Sequence, residues 1–402
     1  MKIVIVGNNV AGTFSAQNIR NLDKDVEIEI FTEESYPYYT RIKLPDIISE
    51  QFTIENSIVF KEEWYKKNKI KLNLSKKVVK INPKQKQILV ENDKKPISYD
   101  KLIIAIGSSP SVPPIKKASD YLMKGVFTLR NVKDALEIRN YIKTKKVKKA
   151  IIIGGGLLGL ELARQIKNCN LDTTVVEFFP RLLPKQLDEE CGDMLKKEIE
   201  NMGIKVVLNV STEEILGNSS AKGIRLKDGR IFDSELILIQ AGVKPNIDLA
   251  KDAKINTNKG IEVNQFLETS EQDIYAVGDC IEYKNQTWGI IPAAMEQSKI
   301  LAASILGKKD EKYEGTVPKN TLKIVGIDLT SIGVFDPPEK EGGGWEILKK
   351  SDKKNCCYKK IVLKDNKLKG AILFGEKKAL NYINNNIESE VNPEELKKIL
   401  EL

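Results

Sequence analysis

Gly154, Gly156 and Gly159 fall in the G-x-G-x-x-G spacing directly after the apolar strand Ala150-Ile151-Ile152-Ile153. In that spacing the first glycine makes a tight turn, the second lets a pyrophosphate approach the backbone, and the third allows close helix–strand packing. A helix over residues 160–168 and a second strand, Thr173-Thr174-Val175-Val176, lead to Glu177. A carboxylate there accepts from a ribose 2′-hydroxyl and repels a 2′-phosphate, so NADH is expected over NADPH. Arg181 lies close enough to soften that preference but reads as a neutral surface residue at a helix start.

A second turn of this kind opens the chain, with Gly7 and Gly12 in place and Asn9 where the middle glycine would stand. Asn is the non-glycine residue that best tolerates a positive φ at such a position. Glu33, with Glu34 as the alternative, follows the strand Ile28-Glu29-Ile30-Phe31 and has the acceptor a ribose hydroxyl needs. Two strand–turn–helix–strand units, residues 2–33 and 149–177, mean two dinucleotide sites.

Several chemistries are missing. The chain contains no histidine, which excludes a histidine base, a histidine metal ligand and a Ser-His-Asp triad. Its five cysteines are odd in number, with no Cys-x-x-Cys or zinc spacing. Neither a disulfide framework nor a metal site is expected.

The elements that must position these residues divide the chain. The run Tyr99-Asp100-Lys101-Leu102-Ile103-Ile104-Ala105-Ile106-Gly107-Ser108-Ser109-Pro110 reads as a buried strand broken at glycine and proline, and Glu235-Leu236-Ile237-Leu238-Ile239-Gln240-Ala241-Gly242 repeats the signal. The chain is expected to leave its first domain near 110 and return near 242. Beyond 315 come short alternating strands at 321–325, 358–363 and 368–374, a Pro- and Gly-rich loop at 336–344 and a terminal helix at 393–402. The fold class is therefore α/β: two Rossmann-like dinucleotide-binding domains plus a small C-terminal α+β domain. The expected boundaries are 1–110 with 242–315, 111–241, and 316–402.

Composition agrees with a globular chain of 402 residues, 41% hydrophobic and 30% charged. There is no apolar run near the roughly 18 residues of a membrane span, and the opening run Met1-Lys2-Ile3-Val4-Ile5-Val6 is too short for a signal peptide. A cytoplasmic protein, monomer or homodimer, is expected, with no membrane span and no nucleic-acid partner. The net charge of +9, from 65 Lys and Arg against 56 Asp and Glu, steers an acidic partner or simply solvates a lysine-rich surface.

The stretch Ile274-Tyr275-Ala276-Val277-Gly278-Asp279 resembles the second FAD motif of the two-dinucleotide-binding-domain flavoproteins, the pyridine nucleotide-disulfide oxidoreductase superfamily, and the resemblance covers nearly the whole chain. It implies that Asp279 bonds a ribityl hydroxyl and that Ala105 and Gly107 lie near FAD. It adds Ala11, Val79, Arg130 and Gly278 to the FAD set, and Leu158 and Gly242 to the NAD set. Two finer stretches are similar to the NADH:rubredoxin reductase group and the N-terminal module of nitrite reductase large subunits. One is Tyr36-Pro37-Tyr38-Tyr39-Thr40-Arg41-Ile42-Lys43-Leu44-Pro45; the other is Pro292-Ala293-Ala294-Met295-Glu296-Gln297 together with residues 317–329. That similarity implies that Arg41 and Lys43 approach the flavin or its phosphates and that Glu161 lies near its nicotinamide side. Glu161 and Lys43 are the expected catalytic residues.

Disulfide reductases of the superfamily carry a Cys-x-x-x-x-Cys pair in the first domain, and another branch carries one cysteine near the position of Ile42. Here residues 1–168 contain no cysteine. A thiolate must touch the flavin ring to exchange electrons with it, so electrons are expected to leave the flavin directly. Cys280 reads as a small buried residue, and Cys356 and Cys357 as opposite faces of one strand. The function implied is an FAD-dependent NADH oxidoreductase that passes electrons to a small acidic carrier such as rubredoxin. The alternative is an NADH oxidase giving mainly peroxide. A non-catalytic flavin-bearing sensor would have a degenerate second turn, whereas here that turn is the better of the two.

Overall fold

The computed structural model describes residues 1–337 and 343–401, and for residues 319–324 the backbone alone. Residues 338–342 of the expected Pro- and Gly-rich loop, and the last residue of the expected terminal helix, lie outside the described residues. The chain forms two compact units.

The first unit comprises Met1–Lys43, Phe52–Ser111 and Val243–Thr316. Its centre is a five-stranded parallel sheet in the order Ile274–Ala276, Lys101–Ile104, Lys2–Val6, Glu27–Phe31, Ile70–Asn73. The inner strand Lys2–Val6 is a continuous apolar run because both faces are covered: Ile3, Val4 and Ile5 are fully buried. The helix Val10–Leu22 follows it and turns Val10, Ala11, Ala16 and Ile19 inward. A second helix, Ile291–Ile305, with Pro292 in its first turn, packs along the first; Asn18 donates to Ser298 across the contact at 3.2 Å.

The second unit comprises Leu44–Gln51, Val112–Gly242 and the chain from Val317 onward. Its parallel sheet repeats the pattern, in the order Lys205–Val207, Asp172–Val176, Lys149–Ile153, Leu236–Ile239, Val126–Phe127. The helix Leu157–Asn168 follows Lys149–Ile153 as Val10–Leu22 follows Lys2–Val6. The short helix Leu44–Ile48 is held in this unit by Ser49, whose hydroxyl donates to Gln165 at 2.8 Å, and by Glu50, paired with Lys143 at 2.7 Å.

The C-terminal residues form a five-stranded antiparallel sheet in the order Lys319–Ile324, Ile327–Gly333, Lys367–Phe374, Cys357–Lys364, Trp345–Asp352. Helices Leu380–Asn386 and Pro393–Leu400 close one core, where Ile383, Leu396 and Leu400 meet Ile361, Leu363 and Leu373. The architecture is thus the expected α/β pair of nucleotide-binding folds with a small α+β part. One local expectation changes: Cys356 sits in the turn before Cys357–Lys364 with φ 51°, so the two cysteines do not alternate along one strand.

Candidate functional site

In the first unit three chain segments meet where no side chain fits. Gly7 has φ +112°, and a Cβ there would lie 2.2 Å from the Ala105 carbonyl oxygen. A Cβ on Gly12 would lie 2.0 Å from the Gly7 oxygen, and one on Gly278, at φ +87°, 2.7 Å from the Ala11 Cβ. The ends of three parallel strands are thereby drawn together at one helix N-terminus, where backbone N–H groups point outward. Asn9 is not in the left-handed region: its φ is −104°, and its side chain caps the helix by accepting from the Val10 N–H at 2.8 Å. Asn9 is therefore a helix cap and not the positive-φ residue its position in the glycine spacing suggests.

The acidic and basic residues that follow the second strand separate in the structure. Glu33 is exposed and lies 3.5 Å from Lys77, whereas Glu34 is drawn inward between the Tyr39 hydroxyl and Arg41, 2.5 Å from the guanidinium. Burial opposes the Arg41 charge, but Glu34 and Tyr39, with Asp279 adding, outweigh it and hold the guanidinium protonated. The Arg41 Nε is nevertheless buried without a hydrogen-bond partner. Lys43 lies 5.4 Å over the Phe52 ring. The strand pairing slips between Val78 and Lys80, which leaves Val79 outside the ladder and exposed. Gly107 adopts φ +65°.

Asp279 accepts from the Ser108 hydroxyl at 2.9 Å. The Gly278 N–H donates to Gln297 at 2.8 Å, and Gln297 in turn donates to the Tyr313 hydroxyl at 3.0 Å. Asn246 ties the other side: its N–H donates to the Gly107 oxygen at 3.0 Å and its amide to the Ile106 oxygen at 2.9 Å. Asn8 accepts from Thr13 and Tyr65 at 3.1 and 3.0 Å, while its own amide nitrogen is buried without a partner. Asn8, Ser108 and Asn246 carry no motif signal in the sequence, and Gln297 is visible there only as part of the Pro292–Gln297 stretch. Glycines that no Cβ can replace, an uncommitted buried guanidinium N–H and a carboxylate with a hydroxyl neighbour fit a dinucleotide carrying a diphosphate and a polyol chain.

In the second unit Gly154 has φ +119°, with a Cβ placed 2.3 Å from the Gln240 oxygen, and Gly159 would strike the Gly154 oxygen at 2.1 Å. Gly156 differs: nothing lies within 4 Å of its missing Cβ, and as N-cap of Leu157–Asn168 it supplies no side-chain cap. Leu158, in the first turn, is half-buried. The helix start is therefore open, with uncapped donors, as a pyrophosphate requires. Glu177 is buried; one oxygen accepts from the Gly155 N–H at 2.5 Å and the other from the Phe179 N–H at 2.9 Å. Gly242, at φ +94°, also has nothing within 4 Å. The Gln240 amide nitrogen is buried without a partner.

Arg181 turns toward its own loop. Its Nε donates to the Leu187 oxygen at 2.9 Å, and its Nη2 lies 3.5 Å from the Pro184 oxygen and 3.7 Å from Asp336. Glu161, on the helix Leu157–Asn168, accepts from the Val325 N–H at 2.6 Å. Arg130, which the resemblance joins to the FAD set, belongs to the second unit, where its N–H donates to Asp134 at 2.7 Å.

Every thiol is pushed up from its ordinary range, in each case first by burial: Cys280 to about 12, Cys356 to about 11, and Cys169, Cys191 and Cys357 in the same direction. None carries much thiolate at neutral pH. Among the described residues no group of three or more Cys, Asp or Glu is placed to hold a metal, and no helix is long and apolar enough to cross a membrane.

Residues 1–298 match the family described as pyridine nucleotide-disulphide oxidoreductase. The chain belongs to this family. Residues 318–391 further match the C-terminal domain of rubredoxin NAD+ reductases. As a pyridine nucleotide-disulphide oxidoreductase the chain is 36% identical, over 99% of its length, to a nitrite reductase [NAD(P)H] of Bacillus subtilis, of which it spans 48%. It is 33% identical to an NADH oxidase of Methanocaldococcus jannaschii, covering 82% of this chain and 77% of that one. The crystal structure of NADH:rubredoxin oxidoreductase from Clostridium acetobutylicum superposes with a TM-score of 0.77 at 30% identity, over 100% of this chain and 99% of that one.

Proposed function

We propose that this chain is an FAD-dependent NADH oxidoreductase that passes electrons from the flavin directly to a small electron carrier such as rubredoxin. The first unit is the FAD-binding domain, and residues 112–242 are the NADH-binding domain. FAD, when bound, supplies the hydride-accepting ring and the store from which electrons leave singly or in pairs. The protein supplies placement. Gly7, Gly12 and the helix start hold the FAD diphosphate, Arg41 neutralises it, and Asp279, oriented by Ser108, holds a ribityl hydroxyl. Ala11, Ala105, Gly107 and Gly278 let the ligand come close, and Glu34 keeps Arg41 in place. In the second unit Gly156 and the uncapped helix start hold the NADH pyrophosphate, and Glu177 takes the adenosine ribose hydroxyl.

The open Gly156 beside a buried Glu177 is the observation that carries the reading. It supports a working nucleotide site rather than the degenerate one of a sensor. NADH is the favoured nucleotide because Arg181 is committed to the Leu187 and Pro184 carbonyls and to Asp336. The five raised thiols support direct transfer. Purified protein is expected to carry about one FAD per chain and to oxidise NADH with a dye acceptor; colourless protein that FAD does not reconstitute sinks the assignment. An NADH oxidase giving mainly peroxide is the second reading, favoured by the likeness to the NADH oxidase of Methanocaldococcus jannaschii.

A further inference from the structure

At the end of the second unit's sheet remote from the Gly154 turn lies a cavity of about 550 Å³. The strands are parallel; Met123 and Lys124 of the cavity precede Val126–Phe127, whereas Gly154 follows Lys149–Ile153, so the two places sit at opposite ends. The volume falls in the range of small-molecule sites, roughly 300–1,000 Å³. One wall is aromatic: Phe127, on the strand, and Tyr141, on the helix Val132–Lys145, meet with ring centroids 5.1 Å apart and planes at 62°. A Cβ on Gly125, at φ +108°, would lie 2.9 Å from the Ala221 Cβ and 3.0 Å from the Tyr141 hydroxyl oxygen, so only glycine lets these segments close on one another. The Ala221 N–H donates to the Lys124 oxygen at 2.9 Å, which holds Ser219 and Ser220 beside Lys124. The polar groups of the lining are uncommitted. Among the described residues Lys124 and Lys145 make no ion pair, and the side chains of Asn140, Ser219 and Ser220 make no hydrogen bond. Glu137 also lines the cavity and has Lys133 at 3.9 Å.

We propose that this cavity is a second small-molecule site, separate from the Gly154 turn, for an organic phosphate that carries one aromatic ring and is the size of a mononucleotide. Lys124 and Lys145 take the phosphate charge, with the Ser219 and Ser220 hydroxyls as further donors. The ring of the ligand packs against Tyr141, which is half-buried and backed by the buried Phe127. An aromatic face accepts any flat ring, so the wall sets the ligand's shape rather than one base. Lys145 belongs to a run of five lysines within residues 143–149. Such a run by itself is an ordinary solvated surface. Here it borders a cavity with an aromatic wall, and its field raises the local concentration of anions at that mouth. An inorganic anion would leave the aromatic wall unused, and an uncharged ring would leave both lysines without a partner. Only a ligand with both parts fills the site.

The test uses the FAD-loaded full chain with UMP as the probe, because UMP has the ring and the phosphate but no adenine. Calorimetry is run in excess NAD+, with uridine and inorganic phosphate as the two halves of the ligand. UMP binds once per chain, and each half binds more weakly by about tenfold or more. In the double variant Lys124→Gln, Lys145→Gln the UMP dissociation constant rises about tenfold, as the loss of two exposed ion pairs requires, while NADH turnover with a dye acceptor stays at the wild-type rate. Tyr141→Leu weakens UMP by about tenfold through the lost stack. Should that variant fail to fold, the double lysine variant still decides, since both side chains are exposed and unpaired. UMP binding by the double lysine variant equal to that of wild type overturns the proposal. So does loss of UMP binding in excess NAD+, which returns the ligand to the nucleotide turn. Uridine or inorganic phosphate binding as tightly as UMP, or no UMP binding by the wild type at millimolar concentration, overturns it as well.

Discussion

At the scale of single residues, the proposed chemistry depends on a few charged groups whose partners are fixed. Asp279 is the clearest. It accepts from Ser108 at 2.9 Å, and a ribityl hydroxyl would take a second acceptor position. A hydrogen bond involving a charged group contributes about 1.5–3 kcal/mol, so Asp279→Ala is expected to weaken FAD retention by about one to two orders of magnitude. Equilibrium fluorescence of released flavin measures this, and unchanged occupancy would reduce Asp279 to a turn residue. In the proposed function, nucleotide choice is set by Glu177 and by the confinement of Arg181. The wild type should prefer NADH to NADPH by at least about tenfold in kcat/KM, and Glu177→Gln should narrow that ratio by removing the negative charge while keeping an acceptor oxygen. Equal use of both nucleotides by the wild type would mean that another cation dominates the pocket. The carboxylate after the first unit's second strand was legible only as a choice of two. Glu33 and Glu34 have the same chemistry at adjacent positions, and only the folded contacts with Tyr39 and Arg41 draw Glu34 inward.

At the scale of elements, the two strand–turn–helix units separate what glycine does for folding from what it does for a ligand. Gly154 sits at φ +119° with a backbone oxygen 2.3 Å from its missing Cβ, whereas Gly156, at φ −80°, has nothing within 4 Å. Gly154→Ala is therefore expected to cost about 1–3 kcal/mol or more in stability. Gly156→Ala should fold with an almost unchanged melting temperature and lose NADH affinity, because only the ligand needs that space. Thermal melts paired with nucleotide titrations distinguish the two. A strongly destabilised Gly156→Ala, or one that binds NADH normally, contradicts the assignment of the turn. These turns were legible in the sequence because glycine spacing, β-branched runs and a following helix are local signals. The contacts that tie segments together were not. Asn246 reaches Ile106 across 140 residues, and Leu44–Gln51 joins the second unit through Ser49 and Glu50. Such pairings belong to tertiary structure and leave no periodic mark. Cys356 differs from its sequence expectation for a related reason: the turn that precedes the strand includes the first cysteine of the pair.

At the scale of the whole molecule, two properties bear on the acceptor. No cysteine occurs in residues 1–168, and the five thiols elsewhere are all held away from the thiolate form. In the proposed function, therefore, electrons go from flavin to an acceptor in near contact without a thiol relay. If the proposed carrier is acidic, the net charge of +9 accelerates the encounter through complementary fields. Such steering is screened over a Debye length of about 8 Å at physiological ionic strength. Turnover with rubredoxin should fall as salt rises from about 0.01 to about 0.5 M, while turnover with oxygen or a neutral quinone barely changes. The most direct measurement reduces the bound flavin anaerobically with NADH and then follows its reoxidation, by stopped flow, with rubredoxin, ferredoxin, flavodoxin and oxygen at equal concentration. NADH is expected to bleach the flavin fully, and rubredoxin to reoxidise it faster than oxygen does. A flavin that NADH does not bleach, or one that oxygen reoxidises faster than rubredoxin does, contradicts the proposed function.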